Sequence, residues 1–76
     1  MQETRERLLP LVEIYLGLDR AEITDATPIS GESIDSLEYL EMIMSIEEHF
    51  GVDLKDDVLE SVSTFGQLVE AVHAAR

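Results

Sequence analysis

An all-α fold, a small four-helix bundle of three longer helices and one short one, follows from three features of this sequence. Apolar residues recur at i, i+3, i+4 and i+7 spacing in three separate segments. Helix-start signatures precede two of them, Asp35 with Glu38 and Thr64 with Gln67. No stretch of useful length alternates at the strand period of two. A long loop is expected between the first two helices.

The first helix is expected from an N-cap at Thr4 to Leu16, with Gly17 at its C-terminal end and residues 1–3 frayed. Leu8, Leu11, Val12, Tyr15 and Leu16 form its apolar stripe, with Leu9 and Ile14 alongside. Pro10 lacks a backbone donor and crowds the preceding turn, which predicts a kink there.

Leu18 to Ser33 reads as a connection. Ile23, Pro28 and Ile29 are its apolar pins, and Thr24, Asp25, Ser30 and Gly31 are turn formers. Asp19 or Ala21 can open a single helical turn within it. Loops of this length in small domains are functional or packed on themselves.

The central segment runs from Ile34 to Val52. Asp35 is its N-cap, Ser36 its first helical residue and Gly51 its C-cap. Wound at about 100° per residue, it places Tyr39, Met42, Ile43, Ile46 and Phe50 on one arc, with Leu40 at the margin. Glu38, Glu41, Ser45 and Glu48 occupy the opposite arc, and Leu37 and Met44 lie in its middle. Two readings fit that stripe. It touches another helix of the same domain, or it is an apolar docking strip rimmed by carboxylates for a basic partner.

After a short extended link, Val52 to Leu54, Asp56 or Asp57 is expected to cap a short helix containing Val58, Leu59 and Val62. Thr64 then opens a last helix with Phe65, Leu68, Val69 and Val72 on its core face.

Composition narrows the function. The 76 residues carry 17 acids against 5 bases, a formal charge of −12, and no Lys or Arg lies between Ala21 and Leu54. Nucleic-acid phosphates are repelled by such a chain, whereas basic protein surfaces are drawn to it. There is no cysteine, so neither a disulfide nor a thiolate metal site is available. Any thioester chemistry must use a sulfur brought by a cofactor. No apolar run reaches the roughly 20 residues of a membrane span, and no signal peptide is visible. One domain spanning 1–76, monomeric and cytoplasmic, is the expectation.

No catalytic constellation is expected. His49 and His73 are the only imidazoles, both read as surface residues. Ser36 and His49 on one helix lie near 20 Å apart at about 1.5 Å per residue. No metal-ligand cluster or Gly-rich phosphate loop is present. Ser36 is the one residue whose setting fits a specific chemistry. Its hydroxyl sits at a helix N-terminus, where free N–H groups and the dipole favour a phosphate ester.

The run Asp35-Ser36-Leu37, continued by an acidic, Met-containing helix ending in Glu47-Glu48-His49-Phe50-Gly51-Val52, resembles the acyl carrier protein family. The resemblance covers nearly the whole chain. It implies the same bundle and 4′-phosphopantetheine attached covalently to Ser36 from coenzyme A, with Asp35 and Leu37 flanking it. It also implies acyl groups held as thioesters, and a docking surface of Asp35, Leu37, Glu38, Glu41, Met44, Glu47 and Glu48. The implied partners are a phosphopantetheinyl transferase, an acyl- or aminoacyl-loading ligase or transferase, and synthase enzymes with basic docking patches.

Fatty-acid, polyketide or specialised-metabolite synthesis is the implied setting. An aminoacyl or peptidyl carrier loaded by a stand-alone ligase, and an unmodified acidic helical adaptor, are the alternatives. Three departures from the family pattern, together with Pro10, point to a specialised carrier rather than the housekeeping fatty-acid one. Ser33 stands where Gly is usual, the loop before it is about one residue short, and Lys55 stands where Pro is frequent.

Overall fold

The computed structural model describes residues 1–29 and 35–76. Four α-helices follow one another there: α1 (Gln2–Leu16), α2 (Ser36–Phe50), α3 (Asp56–Glu60) and α4 (Phe65–Ala75). A single 3-10 turn, Arg20–Glu22, lies in the loop after α1 and is capped by Asp19. The all-α bundle, its three longer helices and its short one are as the periodicity predicts. Ser30, Gly31 and Ser33, named above as turn formers and as a departure, lie outside the described residues.

The core is made by α1, α2 and α4. Leu8, Leu9 and Val12 meet Met42, Ile43 and Ile46 and the α4 set Phe65, Leu68, Val69 and Val72. Ile23, Ile29, Leu54 and Val62 fill in from the connections. Each fully buried side chain of this size stabilises by about 1.5–3 kcal/mol relative to exposure. Tyr39 and Phe50 pack at the edge of the core. Burial raises the Tyr39 phenol above its ordinary value, so it stays neutral.

Several local expectations are corrected. The α1 helix begins at Gln2 with Met1 as N-cap, not at Thr4. The Thr4 hydroxyl is instead buried, accepting from Arg76 Nη1 at 2.9 Å and lying 3.3 Å from His73 Nδ1. A polar group sunk in the core is tolerated because it is bonded there. Pro10 lies inside α1 without ending it, on the exposed side where the missing donor is least costly. The N-cap of α3 is Lys55, and Val62 lies beyond its end. Ile14 and Leu40 are 74% and 57% exposed, so neither joins the core. Ser45, placed above on the solvent arc, is half-buried and shares a 3.1 Å hydrogen bond with the Tyr15 hydroxyl.

Both glycine caps appear as expected. Gly17 and Gly51 have φ of 67° and 66°, the left-handed region in which a side chain is strained. The Thr64–Gln67 capping box is also formed, with Gln67 N–H on Thr64 Oγ1 at 3.3 Å and Thr64 N–H on Gln67 Oε1 at 3.2 Å.

The long loop is fastened to the start of α4. Phe65 N–H donates to the Thr27 carbonyl at 2.9 Å, and Gly66 N–H donates to the Asp25 carbonyl at 3.0 Å. These are the first two helical N–H groups of α4, which no residue of the helix itself can satisfy. Ile29 N–H returns a bond to the Ser63 carbonyl at 3.1 Å, beside a single antiparallel bridge between Pro28 and Thr64. Arg5 reaches across from α1 to pair with Asp25.

Gly66 is what permits this approach. A Cβ there would stand 3.0 Å from Asp25 Cβ and 3.1 Å from its carbonyl oxygen. Gly66→Ala is therefore expected to destabilise the protein by about 1 kcal/mol, the overpacking cost exceeding the gain in helix propensity. Urea unfolding checks this, and a midpoint at or above that of the parent would show that the loop yields freely.

Candidate functional site

The N-terminus of α2 holds the candidate site. Asp35 is its N-cap, with φ −51° and ψ 136°, and Oδ1 accepts the Leu37 N–H at 2.9 Å. The Asp35 carbonyl takes the Tyr39 N–H at 2.8 Å, which starts the helix. Glu38 does not complete the predicted capping box, because Asp35 bonds the second helical N–H and not the third. That leaves the Glu38 side chain on the outer face of α2, among the exposed carboxylates.

Ser36 is the first residue of α2 and is exposed. Its hydroxyl therefore lies at the positive end of the helix dipole and within reach of another protein. A phosphate ester fits these surroundings electrostatically, apart from the like charge of Asp35 beside it. Ser36 and His49 stand at opposite ends of α2 and form no pair. His49 packs edge-on against Phe50 with ring centres 5.2 Å apart.

Of the two readings of the Leu37–Met44 stripe, contact with another helix of the domain does not hold among the described residues. Leu37 is 64% and Met44 65% exposed, so no described element covers either. Leu40 borders them and extends the apolar surface. Its position at the margin of the helical wheel hid this, since a wheel shows an arc but not which neighbours arrive to cover it. Glu38, Glu41 and Glu48 are exposed around the strip.

Glu47 differs from them. It is half-buried, and its Oε2 accepts the Leu54 N–H at 2.8 Å, while its carbonyl accepts the N–H groups of Gly51 and Val52. This residue holds the turn that brings the chain back after α2.

The bases do not neutralise the acidic face. Arg5 pairs with Asp25, Arg20 with Glu6, Lys55 with Asp53 and Arg76 with Glu3. The Lys55 bond holds the Asp53 carboxyl below the usual range and raises the lysine in turn. Arg7 lies 4.6 Å over the Phe50 ring, with Arg76 5.4 Å from the same ring. Among the described residues, no group of three or more His, Asp or Glu side chains is placed to hold a metal. No described helix is long and apolar enough to cross a membrane.

A family model described as a phosphopantetheine attachment site matches residues 6–72, a span that includes α2 and its cap. The chain belongs to this family, the class of small helical carrier domains that includes the acyl carrier proteins. Such a domain carries 4′-phosphopantetheine as a covalent group, and it works with a phosphopantetheinyl transferase and with synthase or ligase enzymes.

The local claim most open to measurement is the cap. Asp35→Ala is expected to cost about 1 kcal/mol of stability, and Asp35→Asn much less, since the amide oxygen still accepts from Leu37 N–H. Thermal unfolding of the two variants checks the order, and equal losses would show that the charge and not the bond matters.

Proposed function

We propose that Ser36 is the attachment point of the phosphopantetheine arm and that the chain is one monomeric, cytoplasmic carrier domain. The observation that carries this is the exposed Ser36 hydroxyl at the N-terminus of α2, inside the matched span. When bound, the group supplies a terminal thiol that can hold an acyl group as a thioester. The protein's own residues do the rest. Asp35 and the first turn of α2 orient the Ser36 oxygen, and Leu37 beside it offers an apolar contact to whatever enzyme approaches.

Leu37 and Met44, with Leu40 at their flank, are the apolar centre of the docking surface in this reading. Asp35, Glu38, Glu41 and Glu48 are its charged rim, and they speed and orient encounter with basic partners. Glu47 contributes its charge from the edge of the surface while its carboxylate bonds Leu54. A tether gives the cargo a high effective concentration at each active site, so contact with any one enzyme need not be tight.

The cargo we propose is an acyl group of fatty-acid, polyketide or specialised-metabolite synthesis. Asp before the serine favours this over the peptide-synthetase type. The unusual Ser33 and Lys55 favour a specialised pathway over bulk fatty-acid synthesis. An aminoacyl group loaded by a stand-alone ligase is the alternative cargo.

Incubation with coenzyme A and a broad-specificity phosphopantetheinyl transferase is expected to add one phosphopantetheinyl mass to the parent and none to Ser36→Ala. An unchanged parent mass, with a control carrier modified in the same tube, overturns the assignment. The exposed strip also fits a second reading, an unmodified adaptor. For an adaptor, Ser36→Ala keeps its function while Met44→Gln weakens partner binding about tenfold. For a carrier, Ser36→Ala abolishes function outright.

A further inference from the structure

A groove runs between α1 and α2 on the side away from the core. Leu11 and Tyr15 line it from α1, and Met44, Ser45, Glu41 and Glu48 line it from α2. The Tyr15–Ser45 hydrogen bond ties the two walls together. Ile14 stands on the α1 rim, one turn after Leu11 on the same helical stripe. At 74% exposure it contributes little to the core, and it is the most exposed large apolar side chain among the described residues. Leu11 and Ile14 on α1 and Met44 on α2 thus flank one shallow, acidic surface.

Size and charge decide what covers it. Specific protein contacts at the small end bury about 600 Å² per partner, a patch roughly 28 Å across. Met44 lies only about 12 Å along α2 from Ser36, so an enzyme gripping the Ser36 hydroxyl reaches the groove within such a footprint. A second copy of this chain, also at −12, is repelled. Glu41 and Glu48 have no ion pair among the described residues. The complementary surface is basic, with a large apolar side chain at its centre.

We infer that the transferase that modifies Ser36 straddles the α1–α2 groove, setting an apolar side chain against Ile14, Leu11 and Tyr15 and a lysine or arginine beside Glu41 and Glu48. This rests on the carrier reading above. It makes Ile14 on α1 a recognition residue although it takes no part in the chemistry at Ser36.

Steady-state modification of the full chain by a broad-specificity transferase with coenzyme A tests it. Ile14→Gln is expected to raise the KM for the carrier about fivefold with kcat nearly unchanged, and Ile14→Leu to restore it. Circular dichroism should show the same helix content in all three proteins, since the side chain is exposed. An unchanged KM for Ile14→Gln, with Met44→Gln raising it, confines the footprint to α2 and overturns the inference while the carrier reading stands. No mass gain on the parent chain removes the carrier reading, and this inference with it.

Discussion

The first turn of α4 cannot satisfy its own N–H groups, and the long loop supplies what is missing. Carbonyls of Asp25 and Thr27 take the first two of them, and Thr64 takes the third. This exchange fastens a stretch of otherwise irregular backbone to a helix end, at Ile29, six residues before Asp35. Ile29 is fully buried and locks the junction from the core side. Ile29 is thus held in place ahead of the α2 N-terminus, where the candidate site lies. Gly66 matters for the same reason, because only a residue without a side chain lets the loop come so near.

The other constraint is where charge is spent. Four of the five bases are matched within the fold, and Arg7 stacks on Phe50. Acids on α2 are left facing water around an apolar strip. The fold itself gains little from that arrangement, since like charges on one helix repel. In the carrier reading proposed here, its use lies in meeting a surface of opposite sign. A carrier must be recognised by several enzymes and released by each, and a charged rim around a small apolar centre favours rapid encounter over tight holding.

Helix placement and core were largely legible from spacing. Met42, Ile43 and Ile46, and Phe65, Leu68, Val69 and Val72, are buried as their periodicity implies. Gly17, Gly51 and the Thr64–Gln67 box end or start helices as predicted, because caps are local chemistry. Thr4 misled because a capping residue and a buried bonded hydroxyl look alike in one dimension. Its partners, His73 and Arg76, come from the far end of the chain. Glu47, which the helical wheel sets nearer the core margin than the other acids of α2, is half-buried there, and its carboxylate accepts the Leu54 N–H.

Residue order alone determined an all-α chain, an acidic central helix and a serine at its start, since each depends on neighbours within a turn or two. Tertiary structure decided which exposed apolar residues go uncovered. Leu37, Leu40, Met44 and Ile14 differ from buried leucines and isoleucines only in what packs against them, and that depends on how helices distant in sequence approach one another. Periodicity states which way a side chain points. Only the assembled bundle shows whether anything is there to meet it.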